Sequence, residues 1–190
     1  MGTNVHECSR MNIVPRLVLM RVHSCLFVVK KRIMLTPESL KKIDREVAKY
    51  PPEHKQSAVM SALRIAQDEK GWLAPETIAF VAHYLGMQPI AAQEVATFYN
   101  MYDLKPVGKH KITVCTNLSC TLMGAESAVE YLQRKLGIGF GETTPDGRFT
   151  LKEGECMGAC GDAPLFQLNN KKICANLSPE TIDAILAGLD

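Results

Sequence analysis

Four cysteines in two close pairs, Cys115-x4-Cys120 and Cys156-x3-Cys160, constrain this chain more than any other feature. The first pair follows the β-branched run Lys111-Ile112-Thr113-Val114, a short buried strand. The second lies in a glycine-rich loop, Gly154 to Gly161. Two pairs on two separate loops can meet at one centre. The chain has seven cysteines in all, and an odd number argues against a closed disulfide framework. With no secretory pattern, the cysteines point to metal or redox chemistry.

Iron accepts thiolate readily, and a two-iron cluster takes two ligands per iron. Gly154, Gly158 and Gly161 let the backbone come close to such a centre and offer N–H donors to sulfur. A helix read from about 121 to 136, closed by Gly137, would turn its positive end toward the site. Three other readings stand beside this one. A four-thiolate structural zinc site more often uses tighter Cys-x2-Cys knuckles. A dithiol oxidoreductase needs Cys-x-x-Cys, which is absent. Ordinary disulfides suit a secreted chain. Cys174, in a strand after Ile173, reads as a buried free thiol.

The preceding half is helical. Thr36-Pro37-Glu38 opens a helix that stops before Pro51-Pro52. A second helix runs from about 54 to 70, with Val59, Ala62, Leu63 and Ala66 on one face and Gly71 as its stop. A third starts at Pro75 and repeats the pattern with Ile78, Val81, Ala82 and Leu85. A fourth follows Pro89, with Ala91, Val95 and Phe98 expected inward. Short amphipathic helices with tight connections imply a small bundle over 34–104. The aromatic run Phe98-Tyr99-Met101-Tyr102 reads equally as core or as interface. His54, His83 and His110 have no metal-site spacing.

Residues 105–190 read as a small α/β unit. Arg148 to Leu151 is a strand after the turn Pro145-Asp146-Gly147. Leu165–Leu168 and Lys171–Cys174 form a hairpin about Asn169-Asn170, and Ser178-Pro179 caps a last helix. The order β-α-β-β-β-α gives a mixed sheet. Ala163-Pro164 precedes the hairpin; X-Pro bonds are trans by default, with cis open here. Gly137-Ile138-Gly139-Phe140-Gly141 is not a dinucleotide fingerprint, because it follows a helix and its third glycine is misplaced.

Charge separates the first 33 residues from the rest. The whole chain carries a net +2, but residues 1–33 hold six basic groups and one acid, whereas 34–190 are mildly acidic. That balance excludes a basic nucleic-acid surface. Pro15, Arg16, Arg21 and His23 interrupt every candidate membrane span or signal core. The segment reads as a disordered tail or as sequence before a true start at Met34, and Cys8 and Cys25 within it receive no role. An arginine-rich, acid-poor presequence is the other fit.

At these motifs the chain resembles the thioredoxin-like two-iron ferredoxin subunits of bacterial respiratory complex I, the NADH:quinone oxidoreductase. The resemblance covers about 36–190. It rests on Glu94–Tyr99, Pro106–His110, Val114–Cys120, Gly141–Thr144, Asp146–Thr150 and Glu155–Cys160. It implies an α+β fold: a helical bundle, then a thioredoxin-like domain with a mixed four-stranded sheet. It implies that Cys115, Cys120, Cys156 and Cys160 ligate one [2Fe–2S] cluster.

The family's role is to take electrons from FMN in a neighbouring NADH-oxidising subunit. The implied partners are that FMN- and NADH-binding subunit and other peripheral-arm subunits. Nucleic acid and direct membrane insertion are not expected. The implied location is cytoplasmic, on the inner face of the bacterial plasma membrane through complex I. The same module occurs in NAD-linked hydrogenases and formate dehydrogenases, which are the alternatives. A zinc-stabilised interaction module and a free-standing ferredoxin are the rivals from other classes.

Overall fold

The computed structural model describes residues 35–189, within a compact unit that begins at Leu35. The expectations for residues 1–33, for a start at Met34, and for Cys8 and Cys25 lie outside the described residues.

Helix α1 spans Pro37–Val47, and Thr36 caps it by accepting a hydrogen bond from Ser39 N at 3.3 Å. The second expected helix divides in two. A 3-10 segment, Pro52–Ala58, kinked at His54 with φ −116° and ψ 33°, precedes α2, Val59–Lys70, and the two part at Ala58 with φ −82° and ψ 3°. Gly71 ends α2 in the left-handed region at φ 83°, where a Cβ would be disfavoured. Helix α3, Pro75–Leu85, buries the expected Ile78, Val81, Ala82 and Leu85. These residues, with Leu35, Ile43, Leu63 and Leu73, form the bundle core. Each of the larger side chains contributes about 2 kcal/mol by leaving water.

Helix α4, Pro89–Phe98, buries a face shifted from the one expected, with Val95 half-buried on the bundle core as expected. Ala92 and Ala96 are buried, whereas Phe98 is 81% exposed. Two methyl side chains let α4 lie close against its neighbours, while Phe98 turns outward.

The sheet has four strands, β1 (His110–Cys115), β2 (Phe149–Gly154), β3 (Phe166–Leu168) and β4 (Lys172–Cys174), in the order β2-β1-β3-β4. Strand β1, His110–Cys115, runs parallel to β2, Phe149–Gly154. Parallel neighbours require a crossover, and it is supplied by α5, Leu118–Leu122, and α6, Ala125–Leu136. The single helix expected from 121 is thus two helices, broken at Gly124 with φ 93°. Cys120 lies inside the first of them. Strand β3, Phe166–Leu168, runs antiparallel to β1 and to β4, Lys172–Cys174. Three residues join β3 to β4, and Asn169 and Asn170, the centre of a turn closed by Lys171 N donating to the Leu168 carbonyl at 2.9 Å, both have positive φ. The Ala163–Pro164 bond is cis, against the trans default. Helix α7, Pro179–Ala187, is capped by Ser178, which accepts from Thr181 N at 3.2 Å.

Ile112, Val114, Leu132, Leu151, Phe166 and Ile182 form the core between sheet and helices. The bundle meets the sheet at Asp103. Its carboxylate accepts from Lys111 of β1 and, at 2.9 Å, from Lys152 of β2. Its N–H donates to Gln67 Oε1 of α2 at 2.6 Å. Burial lowers the Lys111 pKa, and the bond to Asp103 opposes that shift. Among the described residues no helix is long and apolar enough to cross a membrane.

Candidate metal centre

Strand β1 delivers Cys115 at its last position, 1% exposed. Cys120 follows within α5 and is equally buried. With Ala125, Ala163 and Leu165 they form a small apolar cluster, and Met157 and Ala159 pack onto it from the other cysteine loop. Ala125, the first residue of α6, packs against the buried pair, but Cys120 itself lies within α5 and not just before one long helix as expected.

Cys156 and Cys160 lie beyond the end of β2 and are exposed. Their sulfurs stand 3.8 Å apart. Gly158 adopts φ 74°, and its N–H donates to Cys156 Sγ at 3.4 Å. This is the backbone-to-sulfur bond expected of the glycines. Gly158 suits it because its left-handed conformation disfavours other residues.

The Cys120 thiol is pushed up to about 11. Burial is the main cause, then a hydrogen bond with Cys115 and the charges of Cys115 and Cys160; a backbone bond from Leu165 opposes them. Three of the four cysteines are thus within electrostatic reach of one another, and the fourth touches Cys160. The arrangement is two pairs, Cys115 with Cys120 and Cys156 with Cys160. Two pairs match two irons with two thiolates each. The mixed environment, buried on one side and open at Cys156 and Cys160, suits an electron carrier that must be reached by a donor.

Cys174 is placed elsewhere. It is 5% exposed in β4, packs with the sheet core, and burial raises its pKa. The sequence assigns no role to several residues around the centre: Thr116, Asn117, Glu155 and Met157, which lie inside the motifs that carry the resemblance, and Glu153, which lies beside one. Their signal in the sequence is adjacency to the cysteines.

A small mixed sheet carrying two converging cysteine pairs defines a class, that of iron–sulfur proteins on a thioredoxin-like scaffold. The match to the thioredoxin-like [2Fe–2S] ferredoxin family extends over residues 43–190, and the chain belongs to that family. It is 43% identical over 147 residues to NADH-quinone oxidoreductase subunit 2 of Thermus thermophilus, covering 77% of this chain and 81% of that one. It is 43% identical over 158 residues to an NADH-quinone oxidoreductase subunit of Rickettsia bellii, covering 83% of this chain and 90% of that one. A crystal structure of an NAD+-reducing [NiFe]-hydrogenase shares the fold with a TM-score of 0.60 at 21% identity. That likeness covers 69% of this chain and 22% of the hydrogenase chain.

Proposed function

We propose that this chain is the electron-transfer subunit of an NADH:quinone oxidoreductase, with Cys115, Cys120, Cys156 and Cys160 holding one [2Fe–2S] cluster. The observation that carries the reading is the convergence of two cysteine pairs from the ends of two parallel neighbouring strands. Relatives at 43% identity that bear the names of NADH-quinone oxidoreductase subunits favour that complex over a hydrogenase or formate dehydrogenase.

The bound cluster supplies one-electron storage. The chain's own residues hold and tune it. Met157, Ala163 and Leu165 exclude water from its buried side, while Gly158 N–H bonds to sulfur and stabilises negative charge. FMN and NADH stay on the neighbouring subunit, which reduces this chain. The chain joins the inner face of the plasma membrane through the complex rather than by a span of its own.

The bundle is the docking element for the flavin subunit. Phe98, 81% exposed, stacks edge-on against Tyr99 at 5.0 Å between ring centroids and forms an apolar surface. Tyr99 in turn meets the buried Tyr102. The full chain should co-purify with a flavoprotein that oxidises NADH, and Phe98→Asp should weaken that association about tenfold or more. Unchanged assembly of Phe98→Asp removes the docking assignment. A wild-type chain that never co-purifies with a flavoprotein is a free-standing carrier, which overturns the subunit reading.

A further inference from the structure

The two cysteine-bearing segments are stitched together by side chains that carry no thiol. Thr116 and Asn117 lie between Cys115 and Cys120, and Glu153, Gly154 and Glu155 lead into Cys156. The parallel register sets Cys115 opposite Gly154. Thr116 N then donates to the Gly154 carbonyl at 3.0 Å. Thr116 Oγ1 donates to Glu153 Oε1 at 3.0 Å, and Asn117 Nδ2 donates to Glu155 Oε2 at 3.1 Å. Each carboxylate is therefore fixed by the segment that bears the opposite cysteine pair.

Gly154 makes this clasp tight. A Cβ at that position would stand 2.6 Å from Thr113 Cγ2 and 3.0 Å from Met157 Cε. The strand end is thus seated against β1, and Met157 passes directly from it onto the apolar cluster of Cys115 and Cys120. Among the described residues, neither Glu153 nor Glu155 is in an ion pair with a lysine or arginine. Their charge is left beside the cysteine rim.

We propose that Glu153 and Glu155 are positioning residues that clasp the two cysteine pairs in register and lower the reduction potential of the centre. The inference rests on the cluster reading given above. Reduction adds one electron to an already anionic assembly of sulfide and thiolate. A fixed negative charge beside it disfavours the reduced form and lowers the potential. Glutamine at either position keeps the acceptor oxygen and removes the charge, so the two roles separate.

The experiment is a dithionite redox titration followed by electron paramagnetic resonance, on the full chain purified with its partner. Glu153→Gln and Glu155→Gln should each keep the cluster signal and shift the midpoint to a more positive potential, the double variant further than either. Thr116→Val should lose iron to a chelator several-fold faster than wild type, with Thr116→Ser restoring the wild-type rate. Glutamine variants that titrate at the wild-type midpoint overturn the tuning role. So does loss of the cluster from either one, since the clasp acceptor is retained. Wild-type iron release in Thr116→Val overturns the clasp. A wild-type chain with no cluster signal refutes the cluster reading itself, which is a separate result.

Discussion

At the residue scale, the proposed ligands separate from the other described cysteine by environment. Cys115, Cys120, Cys156 and Cys160 come together at the ends of β1 and β2, whereas Cys174 faces the sheet core beside Phe166. Replacing any of the four by serine should weaken or abolish cluster binding, measured as iron per chain and visible absorbance. Cys174→Ser should leave the cluster bound and cost only packing, about 1 kcal/mol. Cluster loss in the Cys174 variant would mean that the ligand set is wrong. The two pairs are legible from spacing alone, because thiols that are close in the chain need few residues between them to share a centre. The clasp is not legible. Thr116 meets Glu153 only because the register sets Cys115 opposite Gly154, and register is a property of two strands together.

At the scale of elements, capping signals carry furthest. Pro37, Pro75, Pro89 and Pro179 each open a helix where the sequence indicates, and Gly71, Gly86 and Gly137 close α2, α3 and α6. The buried face of α4 differs from the expected one because Ala91, Val95 and Phe98 are as regularly spaced as the buried Ala92 and Ala96; only tertiary contact decides between them. The break before α6 has its signal in Gly124. A capping partner from afar is invisible in the sequence: Glu69, at the end of α2, accepts from Thr36 N at 2.9 Å and from Thr36 Oγ1 at 3.0 Å.

Glu69 also gives α1 a pH dependence. Burial raises its pKa, but bonds from Ser39, Thr36 and Lys70 outweigh that and hold the carboxyl at about 2, against 4.5 unperturbed. A depressed folded pKa means that the stabilisation is complete above about 4.5 and is lost as pH falls toward about 2. Glu69→Gln should therefore be less stable than wild type at neutral pH, by on the order of 2 kcal/mol. The difference should shrink steadily in acid, read from denaturant unfolding of both proteins. A difference that stays constant from neutral pH down to about pH 2.5 contradicts this account.

At the scale of the whole molecule, two cores meet at one buried charge network. Asp103 serves Lys111, Lys152 and Gln67 at once, so the bundle and sheet are fastened by groups that tolerate no loss of a partner. A helical half and an α/β half are legible in the sequence but this join is not, because Asp103 lies in a connecting segment with no motif. The network anchors the segment that carries the aromatic surface of Phe98 and Tyr99 near the sheet that carries the cysteines. The proposed docking face and the proposed redox centre thus lie within one compact unit. The central claim is that the four converging thiolates hold a two-iron cluster. The most direct test is metal and acid-labile sulfide analysis of the purified full chain. A coloured protein with about two irons and two sulfides per chain is the expected result, whereas a colourless protein containing zinc and no sulfide would contradict the cluster.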